Sequence, residues 1–593
     1  MDYSVISRPQ SGIRYPKIIS LDTEYSERSV RKADLLSISV GVSEDFTYIL
    51  EDSKAVTPFI ENAEVIFTWN GVVDSYILEK NGLPSIKPKM FDAMLAEHLI
   101  DERLPHGLGD FALREYQDNY KAEFWRKYER YQDAPKDEAY AYEMRDGVYT
   151  YRAGKRYFEA LKDRWALVEH VHRLQYALFE TETRGIRVNR RLIEDTKATM
   201  GPQIENLRSE LYRDYKDYCQ IWELKKWKDK IQKLSTDAGR AKCRKPDSFK
   251  FSDPQLQWLL YDQLEYPVIE KTKPKRVKGK KSKPGNPSTK TRVLRSLLEI
   301  KPGIEKIIEY KTLKSAYPTF VVGLLDRVQG SRVYPTFFVG GTETGRISSS
   351  DPNMQNMPSQ GIFRNFILPE EGGLIIGADY EGIEVGVEAN LTQDPNLLKI
   401  MLENASKHDL TAAAVGLPRK DAKTLNFLLQ YGGGVWKIKT TFKVSEKDAQ
   451  EIYDRYWMSY SGVKVFKEFV IKQLKANGYV TNVFGRTRHF DTPENEYEAA
   501  SQERQAYSHM VQGPAGDMNN AATYLVAEAL ESKGMGKLMM PIHDEIVCSV
   551  NRNLVEESKL EIVRQMESVN SILGFKYPIK AKPYGGFEFW QKA

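Results

Sequence analysis

The chain has 593 residues, 41% of them apolar, and a formal net charge of +5. That length suggests about four structural units with ample core, and no apolar run approaches membrane-spanning length. A net charge this small neither requires nor excludes a nucleic-acid partner, so the distribution of charge has to decide. Cys219, Cys243 and Cys548 lack metal-ligand spacing and suit a reducing compartment, and the N-terminus carries no signal-peptide pattern. A soluble, cytoplasmic protein with no membrane partner is expected.

In chain order, Lys17-Ile18-Ile19-Ser20-Leu21 reads as a strand leading into Asp22-Thr23-Glu24. Side chains alternate along a strand, so Asp22 and Glu24 share a face, where they repel unless a cation lies between them. A second apolar strand, Val65-Ile66-Phe67-Thr68-Trp69, leads into Asn70, which is placed to cap a helix that carries Asp74 one turn further on. Tyr142 and Asp146 are four apart and share a helical face. Each of these alone reads equally well as an ordinary cap or strand end. Lys271 to Arg292 holds ten Lys or Arg and no acid, with Pro and Gly interleaved. It reads as a solvated basic surface loop that trails along a phosphate backbone.

The second half carries two acidic stations. Leu374-Ile375-Ile376-Gly377-Ala378 reads as a strand ending on Asp379, with Tyr380, Glu381 and Glu384 following. Lys537–Ile542 and Ile546–Val550 read as two strands with His543-Asp544-Glu545 at their tip. About 165 residues separate Asp379 from Asp544, so only folding brings them together. Paired aspartates that share divalent cations are the machinery of in-line phosphoryl transfer. Between them, Arg419, Lys423, Phe427 and Tyr431 are each four apart and form one slowly drifting helical stripe. Its cations lie at the N-terminal end, where the helix dipole favours phosphate, and its aromatics at the other. Leu425, Leu428 and Leu429 supply the core-facing side.

Taken together, in this order and at these intervals, the N-terminal acids resemble the DEDD-type 3′→5′ exonucleases of the tyrosine subclass. The resemblance implies that Asp22, Glu24 and Asp146 hold one metal, that Asp74 helps with a second, and that Tyr142 orients the attacking water. From about residue 165 onward the chain resembles family A DNA polymerases, the bacterial polymerase I family. The motifs that carry this are Phe179–Asn189, Phe251–Leu256, Tyr310–Ser315, Thr344–Asn356, the Asp379 station, Lys423-x-x-Asn426-Phe427-x-x-x-Tyr431-Gly432, Gly478–Arg486, Arg504 with Gln512–Asp517, and His543-Asp544-Glu545.

This second resemblance implies roles for single residues. Arg346, Gln355, Asn356, Arg504, Gln512 and His543 would face primer–template DNA, where minor-groove contacts test pair shape without reading sequence. Asp379, the Tyr380 carbonyl and Asp544 would hold metal, with Glu545 auxiliary. The expected cofactor is Mg²⁺, two per active site, with Mn²⁺ able to substitute. Arg419 and Lys423 would bind triphosphate, Lys423 giving a proton to pyrophosphate. Tyr431 would stack near the templating pair, and Phe427 would discriminate against dideoxynucleotides. Glu384 would close the sugar pocket against a 2′-hydroxyl. Three departures stand out. Val385-Gly386 replaces Leu-Arg, Ser508 replaces Asn, and Asp409-Leu410-Thr411 replaces Asp-Ile-His. Thr411 cannot donate as an imidazolium would, and His408 is expected to point elsewhere on its helix.

The expected fold is mixed α/β (α+β) and multidomain. An RNase H-like exonuclease domain over about 1–163 precedes a right-hand polymerase over 164–593. Its thumb is expected over about 190–335, its palm over about 336–400 and 500–593, and its fingers over about 401–499. The expected function is a DNA-dependent DNA polymerase with a proofreading exonuclease. Because the exonuclease pattern already begins at Asp22, the layout resembles bacteriophage replicative enzymes, with phage DNA as template and the host cytoplasm as location. Expected partners are primer–template DNA, dNTPs and a processivity factor or other replisome proteins, around a monomer. Two rivals stay in view. A single-subunit RNA polymerase is opposed by Glu384 and the complete exonuclease set. A nuclease-only or catalytically silent DNA-binding protein is kept open by Gly386, Thr411 and Ser508.

Overall fold

The structure, a computed structural model, describes all residues except 8–12, 14, 28, 234–248, 273–274, 278–279, 284, 299, 360, 404, 431–432 and 592–593. The chain divides into two compact units. One comprises Met1–Ile186, Tyr334–Asn356 and Leu368–Ala593; the other comprises Arg187–Val333 and Met357–Ile367. The fold class is mixed α/β. No helix among the described residues is long and apolar enough to cross a membrane.

The first unit opens on a six-stranded sheet built from β1 (Asp2–Ile6), β2 (Ile18–Tyr25), β3 (Leu35–Gly41), β4 (Phe46–Leu50), β5 (Val65–Thr68) and β6 (Met90–Asp92), in the order β1-β4-β3-β2-β5-β6. β2 runs antiparallel to β3 and parallel to β5. Along β2, Ile19 and Leu21 point into a core with Ile38, Val40, Phe59 and Ile66. Ser20, Asp22 and Glu24 therefore face the opposite way, toward the helix Lys136–Leu161, where Ser20 Oγ donates to the Gly147 carbonyl at 2.6 Å. The approach is close enough that a Cβ on Gly41 would lie 2.6 Å from that same carbonyl oxygen. The strand thus runs through both acids instead of stopping before them.

Asn70 does not cap the helix Val72–Lys80. Its φ is 65°, the N-cap is Gly71, and no side-chain cap bond forms. Asp92 organises this turn instead. Its carboxylate accepts from Asn70 N and Gly71 N, at 3.3 and 3.0 Å, and caps the helix Ala93–Ile100 through Met94 N and Leu95 N.

The helix Trp165–Arg184 ties this sheet to the second half of the same unit. His172 on it accepts from Asp92 N at 3.2 Å, and His170 meets Asp517 at 3.3 Å. Arg486 donates to both oxygens of Asp517, at 3.0 and 2.7 Å, with side chains 5% and 0% exposed. Burial works against the Asp517 charge, but Arg486 and His170 outweigh it and hold the carboxyl well below its usual range. A second tie is a clasp. Glu102 accepts from His489 N and Nδ1, at 2.7 and 2.9 Å, and Arg103 joins Asp101 to Asp491.

The remainder of this unit centres on a four-stranded antiparallel sheet, ordered Gly536–Ile542, Glu545–Asn551, Gly373–Tyr380, Ala581–Phe587. The helix Glu496–Ser532 buries Ala515, Met518, Ala521 and Ala522. The helix Arg419–Gln430 sets Leu425 and Leu429 into a core with Ile438, Tyr456 and Tyr460, with Leu428 partly buried against it.

The second unit is largely helical. Asn189 Oδ1 accepts from Leu192 N at 3.0 Å to cap the helix Arg190–Asp214. Ser252 and Gln255 form a capping box on Asp253–Gln257. Phe251 packs on Tyr310 of the helix Glu305–Ala316, ring centroids 5.9 Å apart. Within 271–292, expected as a loop, two short antiparallel strands occur, Lys275–Val277 and Lys280–Lys283. Residues 273–274, 278–279 and 284 of that stretch lie outside the described residues.

His172 gives this fold an acid sensitivity. Burial pushes its imidazole from 6.5 to about 4. The unfolded chain therefore binds the proton first, and stability is complete above about pH 6.5 and falls as the pH drops toward 4. The full loss is about 3 kcal/mol, of which roughly 2 is gone by pH 5. His172→Gln keeps an acceptor for Asp92 N but does not titrate. Melting at pH 7 and pH 5 is expected to show a smaller drop for this variant than for the wild type.

Candidate active sites

Among the described residues, possible ligand atoms converge within 4.8 Å in two groups: Asp22, Glu24 and Asp146, and Asp101, Glu102 and His489. The second group is committed to the clasp already described, since Asp101 is held by Arg103 and Glu102 by His489. The first is different, because like charges collect there in excess of the cation beside them. Burial, then Asp146 and Asp74, raises the Asp22 carboxyl well above its usual range. Burial, then Asp22 and Asp146, does the same to Glu24. Asp74 is pushed up to about 7 by burial, although Thr23 N and Oγ1 donate to it at 2.9 and 2.7 Å. Tyr142 is buried beside Asp146, and burial followed by that carboxylate holds its phenol well above the usual range. Oxygen donors crowded in this way suit a hard divalent cation.

Sequence reasoning missed three neighbours of this group. Tyr120 donates its hydroxyl to Asp146 Oδ1. Lys121 Nζ lies 3.0 Å from Asp146 Oδ2. Glu143 is fully buried, accepts from Ser37 Oγ at 2.7 Å and from Tyr131, and is lifted to about 7 by burial. A Tyr-Lys pair at a helix start carries no recognisable signal. Glu143, one residue beyond Tyr142, could have been flagged by adjacency.

In the four-stranded sheet, Asp379 stands opposite Glu545 across neighbouring strands. His543 and Asp544 form the tip between Gly536–Ile542 and Glu545–Asn551, with His543 at φ 54°. Folding thus unites the two acidic stations. Burial lifts the Asp544 carboxyl, Arg346 opposes that lift, and Glu384 and Asp379 add to it. The Tyr380 ring turns into the core and donates to the Met566 carbonyl at 2.6 Å, which leaves its backbone at the site. Arg346 NH2 donates to Glu384 at 2.8 Å.

Arg346, Gln355, Asn356 and His543 line one polar cleft with Asn519 and Asn520. The two asparagines were not foreseen. They donate to the His543 and Gly345 carbonyls, each at 2.9 Å, and so fix both loops to the long helix. Arg504 does not join this cleft. It lines a separate pocket with Glu388, Lys407 and Tyr507. Gln512, half-buried on the same helix, lines neither. Glu545 accepts from Tyr584, whose hydroxyl also receives Trp590 Nε1 at 3.4 Å.

On the helix Arg419–Gln430, Arg419 and Lys423 are exposed, and Arg419 pairs with Asp409 at 2.8 Å. The side chain of Phe427 and all of Tyr431 lie outside the described residues. His408 corrects one expectation. It does not turn away, because His408 Nδ1 meets Asn426 Nδ2 at 3.2 Å while Thr411 Oγ1 donates to Asn426 Oδ1 at 3.1 Å. Residues three apart share a helix face, and the buried Asn426 amide draws both. Burial, then Arg419 and Lys423, lowers the His408 imidazole. At Gly386, a Cβ would lie 2.6 Å from Ile579 Cγ1, so as packed this site has no room for the family's arginine.

The fold is mixed α/β with two separate carboxylate groups, and comparison with known proteins names the family. The sequence model of DNA polymerase family A matches residues 222–591. The chain belongs to DNA polymerase family A. It is 33% identical over 323 residues to the thermostable DNA polymerase I of Thermus aquaticus, covering 51% of this chain and 38% of that protein. It is 26% identical over 591 residues to DNA polymerase I of Borreliella burgdorferi, covering 93% of this chain and 60% of that one. It therefore spans less than two thirds of the length of these curated relatives. Among solved structures, the POL domain of Pol1 from M. smegmatis, in complex with DNA primer-template and dNTP, shares the fold at TM-score 0.74 and 19% identity, covering 96% of this chain and 95% of that one.

Gly377 tests the sheet site. A Cβ there would lie 2.5 Å from Tyr584 Cζ, so Gly377→Ala must displace the ring that holds Glu545. Overpacking of this kind costs about 1–3 kcal/mol. Denaturant unfolding of Gly377→Ala is expected to report a loss of that size.

Proposed function

We propose that the chain is a DNA-dependent DNA polymerase with its own 3′→5′ exonuclease. The observation that carries this reading is the existence of two separate carboxylate sets, Asp379 with Asp544 and Asp22 with Glu24 and Asp146, in a chain of DNA polymerase family A. Primer–template DNA and dNTPs are the proposed partners, by analogy with the M. smegmatis complex. The boundaries proposed are exonuclease over about 1–163, thumb over 190–335, palm over 336–400 and 500–593, and fingers over 401–499. The compact unit Arg187–Val333 supports the thumb.

Asp379, Asp544 and the Tyr380 carbonyl would hold Mg²⁺ in the palm, and Asp22, Glu24, Asp74 and Asp146 in the exonuclease, two ions per site with Mn²⁺ able to substitute. All of these are hard oxygen donors. When bound, Mg²⁺ supplies charge neutralisation on phosphate and a more acidic attacking oxygen. In synthesis the primer 3′-oxygen bonds to the α-phosphorus and the bond to the β-phosphate oxygen breaks. Arg419 and Lys423 hold the triphosphate, and Lys423 gives a proton to the departing pyrophosphate. His408 stands near both cations and is available where Thr411 is not. Arg346, Gln355, Asn356, Gln512 and His543 receive the primer–template minor groove, with Arg504 at its edge. Arg346 must leave Glu384 to do so, which frees that carboxylate to face the sugar. Phe427 and Tyr431 complete the nucleotide site. In proofreading, water oriented by Tyr142 bonds to the terminal phosphorus and the bond to the preceding 3′-oxygen breaks. Phage DNA as the template and a processivity factor as a further partner belong to the same proposal.

The test is extension of a labelled primer–template with Mg²⁺. Asp379→Ala is expected to abolish extension while retaining 3′ trimming, and Asp22→Ala to do the reverse. A wild type that trims but never extends would leave only the nuclease. In the same assay, Glu384→Ala is expected to raise ribonucleotide incorporation on the order of a hundredfold. Efficient rNTP use by the wild type would instead support the RNA polymerase alternative.

A further inference from the structure

Lys121 is the cation that acts most strongly on Asp22 and Glu24, and its position is informative. Asp22, Glu24, Asp74, Asp146 and Glu143 act on one another through space, and Lys121 is the group that opposes them. Its ammonium lies 3.0 Å from Asp146 Oδ2, and the side chain is 30% exposed where that of Asp146 is 1% exposed. The acid is on the floor and the amine at the rim. Lys121 Nζ also sits 5.4 Å from the centroid of the Tyr142 ring. Tyr120, the preceding residue, holds the other oxygen of the same carboxylate. The helix Tyr120–Lys127 therefore begins by placing two neighbouring side chains on Asp146.

Charge counting shows why a cation is needed at that rim. Five carboxylates carry up to five negative charges, and two divalent ions would offset four. A phosphodiester entering the site brings one more. A flexible ammonium is the group that can serve both states, resting on Asp146 when no strand is present and turning to a phosphate oxygen when one arrives. Tyr120 can keep Asp146 in place while Lys121 moves.

We propose that Lys121 positions the scissile phosphate of a single-stranded 3′ end, through its ammonium and a non-bridging phosphate oxygen. This rests on the exonuclease reading of the same acids. The test uses the full chain and compares wild type with Lys121→Met and Lys121→Arg, and it reads three quantities. The first is the pair of constants, KM and kcat, for trimming a single-stranded 3′ end with Mg²⁺. The second is binding of Mn²⁺ alone by titration calorimetry, and the third is primer extension. For Lys121→Met, KM is expected to rise about tenfold or more, with Mn²⁺ bound at least as tightly, since a competing cation is gone. Lys121→Arg should recover much of the loss, and extension should be unchanged in both variants, which reports that they fold. An unchanged KM overturns the proposal. So does weaker Mn²⁺ binding with a fall in kcat alone, which would make Lys121 a brace for Asp146. A wild type that binds Mn²⁺ but trims nothing removes the exonuclease reading itself.

Discussion

The buried pair of Asp517 and Arg486 is the interaction on which the larger unit depends. Both side chains are almost fully buried, and the Asp517 carboxylate accepts from Arg486 and faces His170. Removing one partner from such a pair costs about 3–5 kcal/mol, because the remaining charge is stranded. The three residues come from separate elements: the long helix Glu496–Ser532, the turn between the Tyr479–Thr481 and Thr487–His489 strands, and the helix Trp165–Arg184. Two residues after Asp517 on the same helix, Asn519 and then Asn520 hold the His543 and Gly345 loops. An ion pair outside both acid groups thus helps set where the His543–Asp544 tip and the Gly345–Arg346 loop stand.

The two carboxylate sets use one physical device in different degrees. Holding like charges together in a poorly solvated place stores repulsion that a cation relieves. In the Asp22 group the acids are deep, and several are lifted far from their ordinary range. Around Asp379 the acids sit at strand ends, half-buried, and Arg346 already offsets part of the charge on Asp544.

Much of this was legible in the chain. Period-two alternation along Ile18–Tyr25 put Asp22 and Glu24 on one face, because a strand allows nothing else. Four-residue spacing set Leu425 and Leu429 inward and Arg419 and Lys423 outward. What the chain hid depends on contacts between distant segments. Asn70 has the side chain of a helix cap but does not cap, and Asp92 of the next strand accepts from the Asn70 and Gly71 amides of that turn. His408 turns toward Arg419 and Lys423 because Asn426, on another helix, offers its amide. Lys121 gains its meaning from Asp146, which lies on another helix. Arg504, which the resemblance sets on DNA together with Gln512, lines the aromatic pocket of Tyr507 and Tyr456.

The clasp of Glu102 and Arg103 on the His489 hairpin, with the shared helix Trp165–Arg184, locks the sheet that carries Asp22 and the sheet that carries Asp379 into one compact unit. On the proposed function, the two centres then keep one fixed separation within that unit. The journey belongs to the DNA. A mispaired terminus separates from its template more readily than a matched one, so the choice between adding and removing a nucleotide is made by the strength of the last base pairs. Error detection is in that sense delegated to the substrate, and the protein contributes a fixed geometry against which fraying is measured.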